Sequence, residues 1–432
     1  MPNLLAEAPV TEAPTLARFR MLERTAPTRP AIRDIEGVVG ATLDELRLEP
    51  SRLQGRSIAV AAGSRGIASI RDVVRAACQW LARQGARPFV FPAMGSHGGA
   101  TDEGQRQVLE EYGVVPDFVG AAVRSSMAAV QFGTTPGGFP AFMDRNAWES
   151  DGVLVINRVK PHTGFSGGVE SGLAKMMTVG MGKEQGARNF HRLAARHGYE
   201  PVIRAISATV LGTGKILAGL ALAENSRHEL AGIRGTRPEN LLAIEEATLA
   251  LVKSMVPRIP FPKLDLLVVD EIGKNISGSG MDTKVIGRGI PFGPGEAPEI
   301  RVVYARDLTE ESAGNGLGAS LADIIHERLY RKIDFAKTHV NGRTSLHPAV
   351  AGVPMWFGAD RDALEFALRV IGSPDPAEQR TAWIRNTLCL DRILVSEALA
   401  AEAGGLEGWR LAPADREIEF DSAGDVTGPV FA

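Results

Sequence analysis

Cysteine is nearly absent from this chain of 432 residues, with only Cys78 and Cys389 present. Two thiols exclude a disulfide framework, a cysteine zinc site and a thiolate-held iron–sulfur cluster, so any bound metal must find other ligands. An excess of charge is lacking too. A formal net charge of -3 leaves no electrostatic footprint for nucleic acid, and no Lys/Arg-rich run is present to meet an anionic membrane surface. Nowhere do eighteen apolar residues follow one another, and MPNLLAEAPVTEAPTLARF has no basic start leading into an apolar core, so a cytoplasmic protein is expected. Lysine is the last scarcity: ten stand against 38 arginines, and none precedes Lys160.

What is present reads as a large globular chain. Hydrophobic residues at 44% and charged ones at 23% are ordinary for a packed core, and the length suits two domains. Apolar runs followed by helical periodicity recur, as in Ser57–Ala62 then Ser69–Gln84, and Pro88–Phe91 then Thr101–Tyr112. That alternation is the βαβ rhythm of a parallel sheet. Gly152–Asn157, Leu264–Asp270, Arg301–Ala305 and Leu388–Val395 read as further strands, and Asn240–Val256 and Leu317–Phe335 as helices. The first fifty residues look like an irregular arm. Three prolines between Pro257 and Pro262 cannot continue the preceding helix and mark a linker. The expected fold class is therefore α/β: two α/β domains with mostly parallel sheets and the active site in the interdomain cleft. Their expected spans are 1–260, joined by the tail 400–432, and 261–399.

The chemistry concentrates between Asn157 and His191, where three lysines, two histidines and seven glycines share one stretch. An amine can lose its proton, attack as a nucleophile and form a covalent link, whereas a guanidinium stays charged. Lys160, Lys175 and Lys183 therefore stand out, although a coding bias towards Arg would also leave such remnants. Four polar groups follow four expected strands directly: Arg65, His97, His162 and Lys274. Loops at the carboxyl ends of parallel strands form the ligand crevice of open sheets. Any one of the four taken alone is a surface residue that happens to follow a strand, so the argument rests on their coincidence. Gly95-Ser96-His97-Gly98-Gly99-Ala100-Thr101-Asp102 is a flexible loop ending in a helix cap, of the kind that brings amides close to an anion or phosphate.

Gly63-Ser64-Arg65-Gly66-Ile67-Ala68 invites a dinucleotide-binding reading, but that reading breaks quickly. Ala68 stands where a third glycine belongs, no acidic residue closes the next strand, and none of Tyr112, Tyr199, Tyr304 or Tyr330 opens a Tyr-x-x-x-Lys pair. Arg65 is left to hold a carboxylate or phosphate. His162 and His191 lie 29 residues apart, which is not the spacing of a local two-histidine metal site.

Taken together, S-R-G-I at Ser64, G-S-H-G-G-A-T at Gly95, K-P-H-T-G-F-S-G-G at Lys160, G-L-A-K-M at Gly172, N-F-H at Asn189 and E-I-G-K at Glu271 resemble the lactate racemase superfamily. Its members use a nickel-pincer nucleotide. The resemblance implies a thioamide link from the cofactor to Lys175, with Lys183 as the alternative, and nickel capped by His191, sixteen residues beyond Lys175. It further implies Arg65, Gly95, Ser96, Gly167 and Gly168 around the cofactor, His97 and His162 as acid and base, and Arg65, Lys274 and Glu271 against the substrate. The family's interval from histidine to lysine is shorter than the thirteen residues between His162 and Lys175, and Glu271 replaces a neutral amide, so the chain resembles a divergent branch.

The activity so implied is racemisation or epimerisation of a 2-hydroxy acid, lactate-like to sugar acid, by hydride transfer to and from the tethered cofactor. Its partners are that small substrate and the proteins that synthesise the cofactor, with neither nucleic acid nor membrane. Glu271 and Asn275 beside Lys274 favour the polyhydroxylated end. The competing readings are a nicotinamide-dependent dehydrogenase built on the Gly63 loop and a non-catalytic nucleotide- or metabolite-binding protein. Trp356 reads as a core aromatic, or as a wall over the site.

Overall fold

The computed structural model describes residues 13–63, 66–256, 258–290, 298–345, 347–372, 374–428 and 430–431. The chain divides into two compact units, Thr28–Val256 on the one hand and Met1–Pro27 with Pro257–Ala432 on the other. Strand β1 (Phe19–Arg24) belongs to the second of these.

The unit Thr28–Val256 is built on β2 (Ser57–Ala62), β3 (Arg87–Pro92), β4 (Ala122–Val123), β5 (Ala129–Thr134), β6 (Pro140–Asp144), β7 (Gly152–Arg158), β8 (Ile216–Glu224) and β9 (Leu230–Thr236). Six of them form one sheet in the order β4-β3-β2-β7-β8-β9, and β5 and β6 pair as a separate hairpin. All neighbours in the sheet are parallel except β8 and β9. The central strands carry apolar residues on both faces through their middles because helices cover both faces. Along β2, Ile58, Val60 and Ala62 enter one core while Ala59 and Ala61 enter the other, and β7 divides Leu154 and Ile156 from Val153 and Val155 in the same way. Each fully buried Val, Leu or Ile contributes about 1.5–3 kcal/mol, so both faces hold the strands in register.

The other unit carries β10 (Lys263–Ile272), β11 (Glu299–Leu308), β12 (Ile324–His326), β13 (Met355–Phe357), β14 (Thr381–Ile384), β15 (Arg392–Ser396) and β16 (Trp409–Arg416). Its sheet runs β13-β12-β11-β10-β14-β15-β1-β16, parallel as far as β14 and antiparallel beyond. Both units are thus α/β with mostly parallel sheets.

Several elements differ from the sequence-based expectation. The tail from residue 400 does not join the N-terminal unit; β16 pairs with β1 and extends the C-terminal sheet. Among the described residues, 13–50 are not an irregular arm either. They contain β1 and the helix Ile35–Glu45, whose Asp34 cap accepts the Gly37 N–H at 2.8 Å and whose Val39 and Leu43 are buried. Two glycines give this helix poor intrinsic propensity, so packing decides its state. The span 317–335 is not one helix. It holds a short turn at Ala319–Leu321, then β12, then the helix Glu327–Lys332. Ile324 and Ile325 enter opposite cores, a central-strand pattern that periodicity cannot separate from a buried helix. Cys389 lies in a turn before β15 rather than in a strand, where Asn386 Oδ1 accepts the N–H groups of Leu388 and Cys389. Trp356 is 47% exposed and stacks on Tyr330 at 4.4 Å, so it is not a core residue.

Candidate active site

In the Thr28–Val256 unit the chain leaves β2 towards β3 on one side and leaves β7 towards β8 on the other, with β2 and β7 adjacent. Opposed connections at neighbouring strands open a crevice at their carboxyl ends. Gly63 ends β2 there. A Cβ on it would stand 2.9 Å from Asn157 Oδ1 and 3.0 Å from Met176 Cε, so this loop lies against both β7 and the residue following Lys175. Ser64 and Arg65 fall outside the described residues. Beside them, Gly66 donates its N–H to Tyr112 Oη at 3.0 Å and accepts from Arg158 at 3.2 Å.

The loop after β3 carries Gly95, exposed Ser96 and half-buried His97. Gly95 has φ +60°, and its N–H donates to the Gly180 carbonyl at 3.1 Å. A Cβ there would meet the Val179 carbonyl at 3.3 Å and Ala187 Cβ at 3.5 Å, so close approach and backbone conformation together require glycine. Ala187 and His191 are four residues apart on the helix Lys183–His197 and share a face. The His97 loop therefore sits one helical turn before His191.

His162 occupies the loop after β7, whose base is closed by reciprocal bonds between Lys160 and Ser171. Carboxylates hold its backbone from beneath. Fully buried Glu170 accepts the His162 N–H at 2.6 Å and the Gly167 N–H at 3.2 Å, and pairs with Lys253 at 2.6 Å. Glu200 accepts the N–H groups of Gly168 and Val169, each at 3.2 Å. A Cβ on Gly167 would fall 2.0 Å from Glu200 Oε2, so a side chain here would displace the carboxylate that holds the loop. His162 Nδ1 accepts the Gly164 N–H at 2.9 Å, which fixes the neutral ring as the Nε2–H tautomer.

Lys175 and His191 lie on one nearly continuous helical run: Leu173–Lys175, a π-helical turn Met176–Gly180, and the helix Lys183–His197. Such wide turns recur at functional sites because they re-aim side chains along a helix. Both residues are half-buried. Lys183 differs sharply. It is fully buried and pairs with equally buried Asp144 at 3.0 Å, so the attachment role offered as an alternative does not suit it. Burial pulls the Lys183 amine down and pushes the Asp144 carboxyl up, and their ion pair opposes both shifts.

A chain of ring contacts joins His162 to His191. His162 lies 4.6 Å from Phe165, Phe165 stacks on Tyr199 at 5.0 Å, Tyr199 meets Phe190 at 5.8 Å, and Phe190 meets His191 at 5.3 Å. Burial pushes the Tyr199 hydroxyl up. His97, His162, Lys175 and His191 are thus gathered around the carboxyl edge of one sheet.

Glu271 and Lys274 belong to the other unit, at and just beyond the end of β10. Glu271 accepts from Asn386 at 2.7 Å and Arg385 at 3.2 Å, while the Lys274 amine donates to the Gly278 carbonyl. In the same unit His326, Asp360 and Asp425 lie within metal-ligating reach of one another. Arg306 and Arg328 already bond Asp360, at 2.8 and 2.6 Å, so cationic charge is supplied there by side chains.

Sequence reasoning missed Tyr199, Glu170, Glu200, Glu245, Lys253 and Gln105, all of which shape the site. Lys253 had a signal in the rarity of lysine. The carboxylates had none, because only the fold shows which Glu side chains turn towards the loop amides.

The fold defines a class first: an α/β domain with helices on both faces of an open sheet and polar loops gathered at its carboxyl edge. Residues 43–200 of the chain match the family model described as the lactate racemase N-terminal domain, the family that the sequence motifs resemble. No match is found among curated proteins. Two solved structures are similar to it. The lactate racemase apoprotein from Thermoanaerobacterium thermosaccharolyticum is 13% identical with a TM-score of 0.49, covering 84% of this chain and 99% of its own. A structural-genomics protein from Thermotoga maritima is 16% identical, also at 0.49, covering 76% and 82%. Among the described residues no helix is long and apolar enough to cross a membrane.

Proposed function

We propose that this protein is a racemase or epimerase of a 2-hydroxy acid, lactate-like to sugar acid, that works with a nickel-pincer nucleotide tethered to Lys175. The observation that carries this reading is the contrast between two lysines. Lys175 is half-buried on the same helical run as His191, whereas Lys183 is locked inside the unit. Lys175 would hold the group covalently and His191 would cap its metal, with Arg65, Gly95, Ser96, Gly167 and Gly168 around it. The donor set fits, since imidazole is a good nickel ligand and the soft ligands need not come from a chain with two cysteines. When bound, such a group supplies a reversible hydride acceptor.

The rest is work for side chains. His97 and His162 exchange a proton with the substrate hydroxyl from its two sides, each contributing about 10²–10⁴-fold. The Phe165, Tyr199 and Phe190 rings present an apolar wall beside His162 and exclude water from it. Arg65, Lys274 and Glu271 are assigned to the substrate's carboxylate and hydroxyl groups.

The test is intact mass and peptide mapping of protein co-produced with cofactor-synthesis proteins, with nickel analysis and chiral assays over a panel of hydroxy acids. An added mass on the Lys175 peptide, one nickel per chain and interconversion of one acid's stereoisomers are expected. Unmodified Lys175 together with tight binding of free nicotinamide dinucleotide would overturn the proposal.

A further inference from the structure

Lys183 has an amine able to form a covalent link, yet the fold uses it differently. An ammonium has three hydrogens to donate. Here two of them meet the Pro92 carbonyl at 2.6 Å and Gln105 Oε1 at 2.9 Å, and the charge pairs with Asp144 Oδ2 at 3.0 Å. These partners end β3, sit on the helix Asp102–Glu111 and end β6, so one amine ties three elements together. Lys183, Gln105 and Asp144 are all fully buried.

The chain of bonds continues. Because the amine can only donate, it fixes which end of the Gln105 amide is oxygen, and the amide nitrogen must face the other way. That nitrogen donates to the Gly95 carbonyl at 2.7 Å and to the His97 carbonyl at 3.3 Å. At the other end of the chain, Lys183 opens the helix that carries His191, and does so at φ +55°, a backbone conformation costly for any residue with a side chain. A buried lysine held in that conformation is fixed at both ends, its backbone by the helix start and its amine by two acceptors and the Asp144 carboxylate.

We infer that Lys183 and Gln105 are positioning residues that set the His97 loop against the helix bearing His191, through the hydrogen-bond chain Lys183–Gln105–Gly95/His97. The effect on turnover rests on the function proposed above. The effect on the loop does not. The relay ends on the carbonyl of His97 itself, so a shift of the amide is passed directly to the residue whose ring must meet a substrate oxygen. A misplacement of about 1 Å costs on the order of 10²-fold in rate.

Replacing Lys183 leaves Asp144 buried without its cation and risks unfolding, so the test acts on Gln105. Gln105→Met keeps the volume and leaves Lys183 bonded to Pro92 and Asp144. Gln105→Glu keeps an acceptor for Lys183 but turns an oxygen towards the two carbonyls. Hydrogen exchange is measured by peptide in the full chain, with kcat, KM and the mass on Lys175 in cofactor-loaded protein. Both variants are expected to raise exchange across 93–101 about tenfold while β2, β7 and the Lys175 peptide keep wild-type protection. Turnover should fall about 10–10²-fold, with KM and the Lys175 mass unchanged. Unchanged exchange across 93–101, or an equal rise in every peptide, overturns the inference; if Gln105→Met does not fold, the exchange of Gln105→Glu decides. Wild-type protein with no racemase activity removes the functional proposal and leaves the exchange result to stand or fall alone.

Discussion

Glu170 and Lys253 meet at 2.6 Å, with the Glu170 side chain fully buried, and the same carboxylate accepts the backbone N–H of His162 at 2.6 Å. A helix more than eighty residues away in sequence thereby fixes the loop of an expected catalytic histidine. Replacing Lys253 by Met removes the ion pair while leaving the amide bonds. The expected cost is about 1–3 kcal/mol, read by urea unfolding, with faster proteolysis of the 160–171 loop. An unaltered loop would show that the backbone bonds alone suffice.

The two candidate attachment lysines should separate cleanly. Lys183→Met strands Asp144 and is expected to cost roughly 3–5 kcal/mol. Lys175→Ala, at a half-buried position, should stay within about 1 kcal/mol of wild type while losing the cofactor mass. Denaturation curves beside intact-mass spectra test both, and a reversed pattern would transfer the covalent role.

Glu245 predicts a pH dependence. It lies on the helix Leu241–Met255, fully buried, and accepts the Ala174 N–H at 2.8 Å beneath the turn that carries Lys175. Burial pushes its carboxyl up to about 7 from an ordinary value of 4.5, against the amides of Ala174 and Leu173. A raised acid binds its proton more tightly in the folded state. Its contribution is therefore complete below pH 4.5, declines as pH rises, and is gone above about 7. Thermal melts from pH 4.5 to 8 should show a loss of up to roughly 3 kcal/mol that Glu245→Gln flattens. Parallel slopes in the two proteins would refute the assignment.

Asp360 has the opposite sign. Burial pushes it up, but two bonds from Arg306, the Tyr304 hydroxyl and Arg328 more than offset this and hold it well below the usual carboxylate range. Such a group stabilises the fold above its unfolded pKa, and that stability is lost as pH falls below about 4. Asp360→Asn should shallow the acid-unfolding curve. Arg306→Met should cost about 3–5 kcal/mol at neutral pH, because Asp270 loses the cation 2.6 Å away and Asp360 keeps only Arg328 of its two arginines.

Much of the sheet in the Thr28–Val256 unit was legible because its strands are covered on both faces and read as unbroken apolar runs. β2 and the helix after it are placed from sequence nearly residue for residue. The failures share one cause. Ile324 and Ile325 could belong to a buried helix as easily as to a central strand, the Ile35–Glu45 helix has weak intrinsic propensity, and β16 exists only because β1 offers it an edge. None of these is encoded locally.

The sequence by itself determined the chemical inventory: few thiols, rare amines, and histidines and glycines set behind apolar strands, because residue identity fixes what can donate, accept or be attacked. Tertiary structure alone decided how each amine is used. Lys175 and Lys183 are eight residues apart in one motif, and only the packing of Asp144, Gln105 and Pro92 around the second makes it an internal cation while the first stays accessible. Burial and partner geometry are properties of long-range contacts, which no local pattern of residues records.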